Sequence, residues 1–307
     1  MQTRKKLIVG CVVTSLSCVI GVTQTWAQAA SATLEKIRAS GAILVGHRES
    51  LIPFSYYDGD QKVVGYSADL CDKILPAIAK AAGVAKLDVK LVPVSSSSRI
   101  PLLGNGNIDI ECGATTNNVE RQRQVSFSLT HFVTSNRFVA KKSSGLQKLE
   151  DLRGKTVVSV SGTSNIRQLA ELNTARKLGL NILAVKDHAE AFLAVETDRA
   201  VAFVMDDVIL AGFVSGAKDP STYAISDEGL SVEPYAFMVR RDDPAFKAVV
   251  DEAIAEVFRS GQIAAIYDKW FLKPIPPRGN ALAMPMSDAL KKVIAKPTDS
   301  PDPAAYQ

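Results

Sequence analysis

Short apolar runs alternate with amphipathic stretches along most of the chain. Ile43-Leu44-Val45-Gly46 is one such run, and residues 89–93 and 108–110 supply two more. Apolar runs of this length, bounded by turn formers, predict strands. Between them Leu70, Ile74, Ile78 and Ala81 recur at helical spacing after Ser67 and stop at Gly83. That spacing predicts a helix with Ser67 as its cap. Pro76 falls inside the pattern and is explained only as a kink. Residues 97–103, with Pro101 in the first turn and Gly104-Asn105-Gly106 behind them, predict a short helix.

A second series of the same kind begins after Gly145. A helical turn at Leu149 and Leu152 leads to a strand at 155–160, and Gly162-Thr163-Ser164-Asn165 then opens a helix through Ile166, Leu169 and Leu172. Strands are expected at 182–185 and 200–204, with helices at 189–195 and from Val208 onward. After the apolar stretch 232–239 comes the most regular helical stripe: Phe246, Val249, Val250, Ala253, Ile254, Val257 and Phe258. From Pro274 the chain turns polar and Pro-rich, and residues 278–307 are expected to form an extended tail. Strands alternating with helices predict an α/β class, and the length suits one large or two medium domains.

The first residues belong to a different kind of pattern. Arg4, Lys5 and Lys6 precede an apolar run at 7–22, and Ala27-Gln28-Ala29 has the small-x-small form of a cleavage site. Together they predict a secretory signal over residues 1–29. A spanning anchor is the alternative, but the run is short and contains Gly, Ser and Thr. Cleavage after Ala29 removes the three cations and brings the net charge of +4 close to neutral. A near-neutral domain has no electrostatic footprint for nucleic acid. It also leaves two of the four cysteines, Cys71 and Cys112. An even pair in an exported chain suggests a disulfide, with two buried thiols as the alternative.

Several motifs resemble, in order and spacing, those of the periplasmic glutamate/aspartate-binding proteins of ABC transporters, within solute-binding family 3. They include Gly46-His47-Arg48-Glu49-Ser50, Pro53-Phe54-Ser55-Tyr56-Tyr57-Asp58 and Ser98-Arg99-Ile100-Pro101. Further on come Asp109-Ile110-Glu111-Cys112-Gly113, Thr115-Thr116-Asn117-Asn118-Val119-Glu120-Arg121, Lys186-Asp187-His188 and Asp206-Asp207. The likeness spans about residues 41–277. It implies a two-lobed type II binding-protein architecture with a ligand cleft between the lobes and two hinge crossovers, expected near 136–140 and 234–238. Lobe one would combine residues 30–138 and 237–277, and lobe two would be 139–236. The implied partners are glutamate or aspartate as ligand and a permease in the inner membrane. The chain would be a periplasmic monomer, with no cofactor, no metal and no enzymatic step.

An acidic amino acid carries three charged groups, and a dry cleft must meet each one. For the α-carboxylate the candidates are Arg121, whose guanidinium matches a carboxylate with paired hydrogen bonds, and the hydroxyl of Thr116. By itself Arg121 reads as a surface residue in the charged run 120–123. For the ammonium the candidates are the adjacent acids at a strand end, where open α/β folds bind ligands. One would cap the next helix, and the resemblance selects Asp206 as the binder. It also points Arg48, Arg99 and His188 at the distal carboxylate, with Ser96 assisting Arg99. Ser164 lies at a helix start, where free amides favour an anion or simply cap. The family commonly has Ser after Cys-Gly, whereas this chain has Ala114, which leaves only a backbone carbonyl for the ammonium.

Two other readings use the same residues. An exported dehydratase-like enzyme on this scaffold needs a general acid or base against substrate, and Glu49 or His188 can be considered for it. A sensor needs the same ligand site and a separate signalling partner.

Overall fold

The computed structural model describes residues 31–307. The expected signal segment 1–29, with Cys11, Cys18 and the Ala29 cleavage position, lies outside the described residues. The first helix, α1 (Ala32–Ser40), is capped by Ser31 and ends at Gly41 in the left-handed region, φ 70°. Strand β1 (Ala42–His47) follows, then the small antiparallel sheet β2 (Ser50–Leu51), β3 (Ser55–Tyr57) and β4 (Val63–Val64). Helix α2 (Tyr66–Ala82), β5 (Asp88–Pro93), α3 (Arg99–Gly104) and β6 (Ile110–Thr116) come next. The short α4 (Val119–Gln122) and β7 (Val125–Phe127) lead to the long β8 (Phe132–Lys141). The second series holds β9 (Thr156–Val160), α5 (Ser164–Ala175), β10 (Asn181–Val185), α6 (His188–Glu196), β11 (Ala202–Asp206), α7 (Asp207–Ser215) and β12 (Tyr223–Ile225). The chain closes with β13 (Ser231–Arg240), α8 (Pro244–Arg259), α9 (Gln262–Tyr267) and α10 (Asp288–Ala295).

The sheet order β10-β9-β11-β8-β13-β6-β1-β5 divides at its centre. On one side β1 pairs in parallel with β5 and β6; on the other β9 pairs in parallel with β10 and β11. Only β8 and β13 join the halves, pairing antiparallel from Phe132–Asn136 against Ser231–Tyr235. Beyond that stretch β8 continues along β11, and β13 continues along β6. The two halves are lobe two and lobe one of a two-lobed α/β fold. The mutual pairing meets the expected crossovers at 136–140 and 234–238 only at Asn136, Pro234 and Tyr235. Each crossover is the middle of an unbroken ten-residue strand, which leaves no turn signal to mark it.

Helix α2 buries Leu70, Ile74 and Ile78, as their spacing requires. Its start differs from expectation. Gly65, at φ 136°, is the cap position, and a Cβ there would fall 2.1 Å from the Phe54 carbonyl oxygen. Ser67 instead donates its hydroxyl to the Gly113 carbonyl at 2.8 Å, tying α2 to β6. Pro76 lies on the solvent side, so the Asp72 carbonyl it leaves unbonded belongs to an exposed residue. Cys71 of α2 and Cys112 of β6 form a disulfide with Cα atoms 6.0 Å apart.

The buried stripe of α8 packs on α2. The α8 cap, Asp243, also accepts from the Ser31 hydroxyl and the Thr33 amide, both at 2.8 Å, so the first described residues and the segment after β13 meet in one lobe. The tail departs from the extended form expected for 278–307. Ser287 caps α10, whose Leu290 and Val293 are buried, and a terminal turn, Pro303–Tyr306, buries Tyr306. A capping serine followed by apolar residues three apart is a helix signal that the flanking prolines obscure. No helix among the described residues is long and apolar enough to cross a membrane.

Candidate ligand-binding site

Loops at the carboxyl ends of the central strands carry the charged candidates to one place. Arg48 follows β1 directly, and its amide is held by the Ser55 hydroxyl at 2.9 Å. Arg99 opens α3 after a serine turn in which Ser95 and Ser98 exchange side-chain-to-amide bonds of 2.9 and 3.0 Å. Arg121 lies in α4, where Asn118 caps its amide. Across the cleft, Ser164 opens α5 behind the Thr163 cap, His188 opens α6 behind the Asp187 cap, and Asp206 ends β11.

All nine residues expected at the site, Arg48, Ser96, Arg99, Ala114, Thr116, Arg121, Ser164, His188 and Asp206, line one cavity between the lobes. All nine are buried. Arg121 is therefore no surface residue. Its Nη1 donates to the Thr116 carbonyl at 2.9 Å and its Nη2 reaches the Gly162 carbonyl of the other lobe at 3.2 Å. Ser96 accepts from Arg48 Nη2 at 3.0 Å rather than serving Arg99. Arg99 keeps an unpartnered Nε, and both ring nitrogens of His188 lack partners. Asp206 caps nothing with its side chain. It accepts from Asn165 Nδ2 at 2.7 Å and from the Tyr235 hydroxyl. Its neighbour Asp207 turns away to the Thr134 hydroxyl, at 2.5 Å, and to Arg137, at 3.2 Å.

Burial shifts these groups toward neutrality, although the buried Glu111 acts the other way on all three arginines. Burial, reinforced by Arg99, lowers both Arg48 and Arg121 to about 9. Burial lowers Arg99 as well. His188 falls well below the usual histidine value through burial and the charges of Arg48 and Arg99, so its ring is neutral and offers one N–H donor. Burial and the nearby Glu233 raise Asp206 to about 8. Three guanidiniums held in a dry space call for anions, and a buried carboxyl opposite them calls for a cation.

The lobes touch across the cavity. Ser97 donates to the Ser161 carbonyl at 3.2 Å, and Glu120 pairs with Arg167. Gly162, at φ 78°, lies so close to the Ser96–Ser97 backbone that a Cβ would stand 2.8 Å from it. The space left inside is only about 10 Å³. An amino-acid ligand thus enters only when the lobes or the arginine side chains part. A roomier groove beside Phe192, Phe213 and Pro276, about 300 Å³, has only Glu196 and Arg278 as charged lining groups.

Sequence reasoning missed part of the surroundings. Asn165 stood next to a nominated residue, but its bond to Asp206 spans 41 positions. Tyr235 and Glu233 sit within the buried β13 and carry no signal separating them from core. Glu233 is 1 % exposed and accepts from Ser164, at 3.0 Å, and from Gln168, at 2.7 Å.

Two lobes closing over a cavity of opposed charges, joined by two crossing strands, define a two-lobed solute-binding protein. The chain belongs to the bacterial extracellular solute-binding proteins, family 3, whose model matches residues 43–273. It is 45 % identical over 299 residues to a glutamate/aspartate import solute-binding protein of Salmonella typhimurium, covering 97 % of this chain and 99 % of that one. To an L-glutamate/L-aspartate-binding protein of Pseudomonas aeruginosa it is 47 % identical over 268 residues, 87 % of this chain and 89 % of the other. Among solved structures, a mutant of the arginine-binding protein ArgBP from T. maritima matches with TM-score 0.69 and 28 % identity, over 78 % of this chain and 98 % of that one.

Proposed function

We propose that the protein captures glutamate and/or aspartate in the periplasm and delivers it, unchanged, to an ABC permease in the inner membrane. One observation carries the reading: three buried arginines face a buried aspartic acid across one closed cleft. Arg121 and the Thr116 hydroxyl take the α-carboxylate. Asp206 takes the ammonium, with the Ala114 carbonyl beside it. Arg48 and Arg99, the neutral ring of His188 and the hydroxyl of Ser96 take the distal carboxylate, and Ser164 adds a donor from lobe two. The relatives' names point to the same ligands. Lobe one comprises residues 30–138 with 237–277 and lobe two residues 139–236, a division supported by pairing of the two lobes through β8 and β13 alone. The protein works as a monomer, because one chain supplies groups to both sides of the ligand.

No single lobe meets all three ligand charges, so ligand shifts the population toward the closed form. A thermal-shift screen over the common amino acids tests the ligand class, with glutamate or aspartate expected to raise the melting temperature most. Small-angle scattering tests closure, with a smaller radius of gyration expected at ligand saturation. A larger shift with a neutral or basic amino acid, or an unchanged radius at saturation, would overturn the reading.

A further inference from the structure

The segment after residue 284 lies beyond the family match, which ends at 273, and takes no part in lining the cavity. It is nevertheless firmly docked. Val293 of α10 and Tyr306 pack with Val133 of β8 and Val232 of β13, on the strands that join the lobes. The Thr298 carbonyl accepts from the Thr130 amide at 2.8 Å. The Tyr306 hydroxyl donates to the Ser300 carbonyl at 2.6 Å and meets Thr130 Oγ1 at 2.8 Å. The Asp299 carboxylate pairs with Lys247 of α8 at 2.9 Å.

One contact reaches the ligand machinery. The Asp299 backbone carbonyl accepts from Asn117 Nδ2 at 2.8 Å and from Gln122 Nε2 at 3.3 Å. Gln122 Nε2 also donates to Asn117 Oδ1 at 2.9 Å, closing the triangle. Asn117 follows Thr116 and Gln122 follows Arg121, so the neighbours of both residues assigned to the α-carboxylate converge on a single carbonyl of the tail. The Arg121 guanidinium has two bonds of its own, and the one to Gly162 crosses the cleft, so it exists only when the lobes are closed. Before closure the orientation of Arg121 rests on the loop that carries it, and groups behind a site residue decide how well it is held.

We propose that the C-terminal segment is a strap that positions the α-carboxylate clamp: the Asp299 carbonyl, acting through Asn117 and Gln122, holds Thr116 and Arg121 ready in the open protein. This rests on the assignment of Thr116 and Arg121 to the ligand. The polar partners of Asp299, namely Asn117, Gln122 and Lys247, all lie in lobe one, so this contact is kept in both the open and the closed state. Every α-amino acid shares the α-carboxylate, so loosening the strap weakens all ligands alike and leaves side-chain discrimination unchanged.

The test uses the full chain with Asn117→Ala, Gln122→Ala, Tyr306→Ala and the double variant Asn117→Ala/Tyr306→Ala, titrated with glutamate, aspartate and glutamine. Each single variant is expected to weaken all three by a similar factor, about five- to tenfold. The double variant is expected to be less weakened than the product of the singles, because both act through one contact. The Nε–H signal of Arg121 in the ¹⁵N spectrum of the empty protein should broaden in each. Gln122 is half-buried at a helix end, so its variant keeps the test alive if Asn117→Ala fails to fold. Variants that melt lower yet bind within twofold of wild type, with the Arg121 signal unchanged, would show that the strap only stabilises the fold. Absence of glutamate binding by wild type would sink the functional reading instead, while the Arg121 signal would still decide the strap.

Discussion

On the lobe-one side of the cavity the charged groups are guanidiniums, Arg48, Arg99 and Arg121, whereas lobe two presents Ser164, Asn165, His188 and Asp206 at helix starts and a strand end. The two sides also respond differently to burial. Arg48 and Arg121 fall to about 9 and so remain charged at neutral pH. Asp206 rises to about 8 and His188 is neutral, so the two titratable groups that lobe two presents to the cavity are largely uncharged at neutral pH. The comparison separates two tasks. On the proposed assignment, lobe one would attract and grip carboxylates at any ordinary pH, and lobe two would complete the site in a step that depends on protonation.

The largest effect is expected from removing the grip. Arg121→Ala deletes one member of a buried charge pair with ligand, a change of roughly 2–5 kcal/mol, or about thirty- to several-thousand-fold in affinity. Calorimetry with glutamate and aspartate checks the loss. The melting temperature of the empty variant should not fall much, because the deleted cation had only carbonyl partners. Binding within a few-fold of wild type would remove Arg121 from the clamp and with it the division of tasks.

A smaller, pH-dependent effect is expected on the other side. In the empty protein Asp206 holds its proton below about 8. A ligand ammonium favours the ionised carboxylate, so binding releases a proton, and affinity climbs as pH rises toward that value, by at most about tenfold per pH unit. Asp206→Asn should weaken binding and flatten the slope. An undiminished slope in that variant would show that the released proton does not come from Asp206. Calorimetry in buffers of different ionisation heat counts the protons.

A third prediction separates titration of the fold from titration of the site. His131, buried with both ring nitrogens unpartnered, is pushed down to about 3 by burial. A lowered histidine contributes stability in full above its unfolded value and loses it as pH falls toward the folded one. Between neutral pH and pH 5 the loss is about 2 kcal/mol. His131→Phe should remove that part of the acid destabilisation in denaturant melts at the two pH values, without changing the slope of ligand affinity. An unchanged acid loss in the variant would mean that other buried groups, such as His47, carry it.

How much of this was legible beforehand follows from where each signal sits. Arg48 follows one short apolar strand and Asp206 ends another, and the strand-then-charged-residue pattern survives without tertiary information. The choice between Asp206 and Asp207 needed the resemblance, because capping chemistry suits either acid. In the structure the strand end buries Asp206, while Asp207 leaves toward Arg137. The resemblance puts Ser96 with Arg99, three positions away, whereas its bond runs to Arg48, 48 positions away. Contacts of that range are set by sheet order, which local pattern does not encode. The crossover at β8 needed the resemblance, because Thr134, Ser135, Asn136 and Arg137 interrupt its apolar residues. The strap was hidden by prolines that made an amphipathic helix look like an extended tail.

The proposed assignment has the guanidiniums of lobe one select a second carboxylate on the ligand. Its most direct test is calorimetry of wild type and Arg48→Met with glutamate and with glutamine, which share a shape but differ in the charge and donors at the side-chain end. Leaving buried arginines without an anion is costly, so wild type should bind glutamate tighter than glutamine by roughly a hundredfold. Arg48→Met should narrow that gap mainly by weakening glutamate. Equal binding of glutamate and glutamine by wild type would contradict the account.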